Sequence, residues 1–176
     1  MEANADFDIQ FSGLKDGVHT FEFQVTESFF ETFDNEEFSS VAAKAVVNLH
    51  KKPTLMEAEF SLAGHVNVNC DLTNEPFDLA VSNRFQLVIK FGPAFSDDHD
   101  DIIVLPHGSH HFNVTHQLYE LVVLSVPQKR VHPGVEDGSL NSEALDKLDQ
   151  LKPSSNSHAS QSETDPRWDA LKKLKK

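Results

Sequence analysis

Residues 56–70 alternate without a break. The even positions are Met56, Ala58, Phe60, Leu62, Gly64, Val66, Val68 and Cys70, and the odd ones are Glu57, Glu59, Ser61, Ala63, His65, Asn67 and Asn69. A period of two puts the first set on one face of a strand and the second on the other, so the even set faces the core. The run of fifteen residues is longer than a usual strand and has to bend, and Gly64 is the expected place for a bulge or kink. A chain built around such a strand is expected to be α+β. It has a curved, partly barrel-like antiparallel sheet, a few short helices and a flexible C-terminal tail.

The flanking sequence supplies partners. Residues 41–50 read as an earlier strand, with Lys51-Lys52-Pro53 as the turn into the long one. Residues 71–75, with Asn74, make the next turn, and in residues 77–90 Phe85, Leu87 and Ile89 alternate with Gln86, Val88 and Lys90. Near the start Phe7, Ile9 and Phe11 share one face. Asp16-Gly17 signals a turn, and Phe21, Phe23 and Val25 alternate after it, so the first two strands are expected to pair as a hairpin. Phe29, Phe30 and Phe33 suit a short helical turn over the open end of a sheet. The acidic residues 97–101 read as a solvated interruption and 102–105 as a short buried strand. A loop to Thr115 follows, with Thr115 as N-cap of an apolar segment over 116–126 that reads as a helix; the β-branched Val122, Val123 and Val126 leave a strand as the alternative, and Pro127 ends the element in either case.

Composition bounds the class. The chain has 176 residues, 39% of them hydrophobic and 14 of them Phe, which is enough for one core without disulfides or a structural metal. No apolar run approaches the roughly 18 residues that span a bilayer. The first residues are acidic where a signal peptide would be basic, so no membrane is expected. Cys70 is the single cysteine, which excludes an internal disulfide and a Cys-rich zinc site and fits a reducing cytoplasm. With 15 Lys and Arg against 28 Asp and Glu the formal charge is −13, so a general grip on DNA or naked RNA is disfavoured. Residues 1–40 hold ten acidic side chains and only Lys15, whereas residues 167–176 hold five basic and one acidic.

This pattern predicts four segments: a β-rich domain over 1–135, a short amphipathic helix over 136–151, a Ser-rich linker over 152–164 and a basic docking helix over 165–176. The amphipathic helix would use Leu140, Ala144, Leu148 and Leu151, and Asp165 with Pro166 would start the last one. Glu31, Asp34, Glu36 and Glu37 are candidates for holding a basic protein partner, and Arg167, Trp168 and Leu171 for docking the tail.

Residues able to carry chemistry are scattered. His107, His110, His111 and His116 lie close together beside the acidic run, and Pro106-His107-Gly108-Ser109-His110-His111 matches part of the second cupin motif. Its companion motif is absent and Thr115 stands where an Asn is expected, so solvated loop histidines are preferred to a metal site. Cys70 is either a nucleophile or, as its place on the apolar face favours, a buried inert thiol. Glu120 is either a general acid or a glutamate on the solvent side of a helix or bonded to the neighbouring loop. Phosphate-binding glycine loops are missing, and no cofactor and no catalysis are expected.

Three motifs together carry a family resemblance. They are Gly64-His65-Val66-Asn67-Val68-Asn69-Cys70-Asp71, then Tyr119-Glu120-Leu121-Val122-Val123-Leu124-Ser125-Val126-Pro127 leading to His132, and finally Asp165-Pro166-Arg167-Trp168. In order and spacing the chain resembles the YceD-like family of large ribosomal RNA subunit accumulation proteins. Many members have a Cys-x-x-Cys at the first motif, where this chain has Cys70 and Thr73. The resemblance implies a non-enzymatic part in accumulation of large-subunit ribosomal RNA. The charge adds that it acts through a ribosomal or ribosome-assembly protein. The rival readings are an RNA-binding module using the basic tail and a cupin-like metal enzyme.

Overall fold

In the computed structural model, which describes residues 5–33, 37–99 and 101–152, the alternating segment is one fifteen-residue strand, β4 (Leu55–Asn69). Met56, Ala58, Phe60, Leu62, Val66 and Val68 are buried, as is Cys70 just beyond it, while the odd positions are half-buried or exposed. Each such fully buried large side chain contributes roughly 1.5–3 kcal/mol, so a register slip that turned this set outward would remove the core. β4 carries no bulge. Its pairing with β3 (Ser40–Lys51) on one side and β5 (Pro76–Gly92) on the other runs in unbroken register. Gly64 instead lets two strands come close, because a Cβ there would lie 2.4 Å from Ala43 Cα and from Ala42 O.

The six-stranded sheet runs β2-β3-β4-β5-β7-β6, with β2 Gly17–Thr26, β6 Ser96–His99 and β7 Ile102–Pro106. All neighbours are antiparallel except β5 and β7, and the two ends do not join, so the sheet is curved but open. The turn after β4 closes on Asn74, whose φ of 58° is the left-handed conformation that Asn tolerates.

Three local expectations are corrected. The first strand, β1 (Asp8–Gln10), does not form a hairpin with β2. It pairs with β8 (His111–Asn113), with Ile9 opposite Phe112. Phe7, Ile9 and Phe11 do share a buried face. The turn before β2 redirects the chain rather than closing it, and Lys51 Nζ holds the intervening stretch by donating to the carbonyls of Phe11 (3.0 Å) and Leu14 (2.8 Å). Secondly, Asp97 and Asp98 are exposed but belong to the edge strand β6. An edge strand keeps one border in water, so carboxylates are tolerated there and discourage edge-to-edge pairing. Thirdly, Thr115 is the first residue of α2 (Thr115–Val123) rather than its cap. Asn113, two residues upstream, accepts its amide at 3.1 Å.

The covering layer comprises α1 (Glu27–Phe30), the 3-10 turn Glu31–Phe33 and α2. Aromatic contacts join them. Phe7 meets Phe29 edge-on at 4.8 Å, Phe30 meets Tyr119 at 5.4 Å, and Phe33 stacks on Tyr119 at 4.2 Å and 15°.

The chain divides into two units, residues 1–140 and 141–176. The first ends with the short α3 (Pro133–Glu136) and Leu140, whose amide donates to Gly134 O at 2.8 Å. Leu140 therefore lies outside the helix it was grouped with. In the second unit α4 (Glu143–Leu151) leaves Leu148 and Leu151 exposed. The Ser-rich linker after Lys152 and the terminal helix lie outside the described residues. Among the described residues no helix is long and apolar enough to cross a membrane.

Candidate functional site

The first two motifs meet in space. β4 ends at Asn69, and Cys70 and Asp71 begin the tight turn into β5, in which Cys70 N donates to Glu75 O and Asn74 N donates to Cys70 O. The segment 130–132, some sixty residues later, lies against this turn. Asp71 N donates to Arg130 O at 2.8 Å, and Arg130 N donates back to Asp71 Oδ2 at 2.6 Å. The Arg130 guanidinium adds an ion pair, Nε to Oδ1 at 3.6 Å, at a half-exposed position. His132 N donates to Cys70 Sγ at 3.3 Å. Cys70 and Asp71 thus hold the chain that follows Pro127 against the end of the long strand.

His132 then starts α3. Its Nδ1 accepts the amide of Gly134 at 2.9 Å, and Pro133 occupies the first helical turn, where its missing N–H costs nothing. The imidazole ring packs edge-on against Phe77 at 5.3 Å. Because Nδ1 is an acceptor here, a neutral His132 carries its proton on Nε2.

The thiol of Cys70 is buried, with 2% of its surface exposed. Burial pushes its pKa up, but the His132 amide, the Thr73 hydroxyl and the amides of Leu72 and Thr73 outweigh that and hold it below the ordinary thiol value. Thr73, at the place where the resemblance expects a second cysteine, gives its hydroxyl to the sulfur. With Nδ1 of His132 committed to Gly134 and the sulfur closed off from solvent, the pair forms a structural clamp. It lacks the free base and open nucleophile of covalent catalysis.

The other candidates are dispersed. Glu120 is exposed on α2 and takes its partner from its own helix, His116 Nε2 at 3.1 Å. His107, His110, His111 and His116 are all exposed, and among the described residues no group of three or more His, Cys, Asp or Glu side chains could hold a metal. Pro127 is exposed in the connection after α2. Glu31 and Glu37 are exposed on either side of a stretch that includes Asp34 and Glu36, both outside the described residues. Asp165, Pro166, Arg167, Trp168 and Leu171 also lie outside them.

Arg130 was not singled out by the sequence. It lies between Pro127 and His132, but its largest contribution comes from its backbone, which accepts and donates one bond each, and backbone use leaves no mark on residue type.

A family model described as Large ribosomal RNA subunit accumulation protein YceD matches residues 58–175. That span begins within β4 and contains both halves of the Cys70–His132 junction. No curated protein and no solved structure matches the chain.

Proposed function

The chain belongs to the YceD family of large ribosomal RNA subunit accumulation proteins, and on that premise we propose that it is a cytoplasmic, non-enzymatic factor in ribosome biogenesis that acts through a basic protein partner. The observation that carries the choice of partner is the charge. With 28 acidic against 15 basic side chains, the surface repels an RNA backbone and attracts basic ribosomal or assembly proteins. Glu31, Asp34, Glu36 and Glu37 are the proposed steering acids. Arg167, Trp168 and Leu171 are the proposed contacts of a terminal docking segment.

The test begins in cells depleted of the protein, where the ratio of large- to small-subunit ribosomal RNA is followed. The ratio is expected to fall and to recover with the wild-type chain. Tagged protein is then recovered from ribosomal fractions with and without ribonuclease. Association that survives the nuclease supports a protein partner, and association lost with the RNA overturns it. Removing residues 165–176 is expected to weaken association while the remainder stays folded; undiminished association would remove the docking segment from the proposal.

A further inference from the structure

The sheet is wider than the layer covering it. Between α2 and the strands β5, β7 and β6 a cleft of about 460 Å³ stays open to solvent. Its floor is hydrocarbon and aromatic: Phe85, Leu87, Ile103 and Leu121. Three carboxylates, Asp97, Asp101 and Glu120, stand at its rim against one guanidinium, that of the exposed Arg84. Glu120 shares its charge with His116, so Asp97 and Asp101 exert the freer pull.

Acids alone would be ordinary surface, but Gln117 forms part of the same wall. It is the one polar side chain buried among the described residues, at 8% exposure, and its Oε1 has no hydrogen-bond partner among them. A buried acceptor without a donor is uncommon, and the group that relieves it must donate. An unpaired acceptor, an anionic rim and an apolar floor together specify a ligand with an N–H donor, a positive charge and a hydrocarbon stem.

We propose that this cleft receives an arginine side chain of the basic partner, a proposal that rests on the functional reading above for the partner's character. Arginine fits better than lysine. Gln117 Oε1 is itself closed off, so the Gln117 side chain turns toward the cleft to meet the ligand. The planar fork of arginine then gives one N–H to Oε1 while another pairs with a rim carboxylate, and its flat face packs on an aromatic ring such as Phe85. One face of the Phe85 ring is stacked on its cross-strand neighbour Phe60 at 4.6 Å and 5°, which fixes the ring. An RNA backbone brings acceptors and negative charge, the opposite of what these groups require.

The experiment uses the full chain, isotope-labelled, titrated with a short peptide of alternating glycine and arginine, with its citrulline counterpart and with its lysine counterpart. The arginine peptide is expected to shift the Gln117 side-chain amide resonance. The lysine peptide is expected to bind several-fold more weakly and the neutral citrulline peptide not measurably. Gln117→Leu should weaken arginine binding about tenfold. Glu120→Gln, at an exposed position where folding is not at risk, should weaken it by a smaller factor. Equal binding by the two variants and the wild type would overturn the proposal, as would equal binding of the citrulline peptide, shifts away from the cleft, or displacement of the peptide from the cleft by an oligoribonucleotide. Ribosomal association is measured in parallel. Peptide binding without any association with ribosomal particles leaves the arginine site standing and removes the basic-partner reading. Association undiminished in Gln117→Leu removes the cleft from that partner's contacts.

Discussion

At Gly64 a hydrogen stands where any other residue would put a carbon against the backbone of β3. The expected cost of Gly64→Ala is about 1–3 kcal/mol, the usual penalty of forcing extra volume into a packed site. Gly13→Ala is the control, because nothing lies within 4 Å of a Cβ there. Denaturant unfolding checks both, and equal midpoints would refute the close-approach argument. The junction at Asp71 allows a sharper comparison. Arg130→Ala removes only a half-exposed ion pair, worth under about 1 kcal/mol, and leaves both backbone bonds in place. Asp71→Ala removes that pair together with the acceptor for the Arg130 amide, and should cost about 1–2 kcal/mol. If the arginine variant proved the less stable of the two, the clamp would not depend on the Asp71 carboxylate.

The hairpin of β3 and β4 carries its own acid sensitivity. Lys52 donates to Glu57 Oε1 at 2.5 Å, and this bond is the main cause holding the Glu57 carboxyl below its ordinary value; desolvation works the other way, and the charges of Lys52 and His50 add to the lowering. A carboxyl whose folded pKa is depressed adds stability above its ordinary pKa and loses it as pH falls through the lowered value. Glu57→Gln should therefore lower the neutral plateau of a stability-against-pH curve and meet the wild type at the acid end, so that part of the acid limb is flattened; an unaltered plateau and acid limb would contradict the assignment. This hairpin was legible from residue type because its alternation is long and its turn is local. The helical turn at Phe29 and Phe30 was legible because Phe29, Phe30 and Phe33 recur at helical spacing. β1 was not, since a three-residue strand records which side chains are buried but not that its partner, β8, lies about a hundred residues away. β6 was hidden because an edge strand can be acidic, and acids read as loop. The Cys70–His132 contact was half legible. Both residues stand in the quoted motifs, yet only the fold brings an amide to the sulfur. Gln117 gave no signal, because a glutamine in an apolar helix looks the same in sequence whether its amide is satisfied or not.

At the scale of the whole molecule the dominant quantity is the formal charge of −13. Such a charge acts on encounter more than on the formed complex, because rim charges steer diffusion while buried contacts set residence time. Its reach depends on salt, since the screening length falls from about 30 Å at 0.01 M to about 8 Å at 0.15 M. The association rate with a basic ribosomal partner is therefore expected to drop steeply across that range while the dissociation rate changes little. Replacing Glu31, Asp34, Glu36 and Glu37 by their amides removes four of the 28 acidic side chains, and should slow association at low salt and make its salt dependence shallower. Glu31 and Glu37 are exposed, so this change is not expected to disturb the core. Stopped-flow or surface-binding kinetics at several salt concentrations decide the matter. Equal salt slopes for the wild type and the four-fold variant would place the steering elsewhere, with the Asp97 and Asp101 rim next to be neutralised. A rate independent of salt in the wild type would mean that the acidity serves something other than capture of a basic protein.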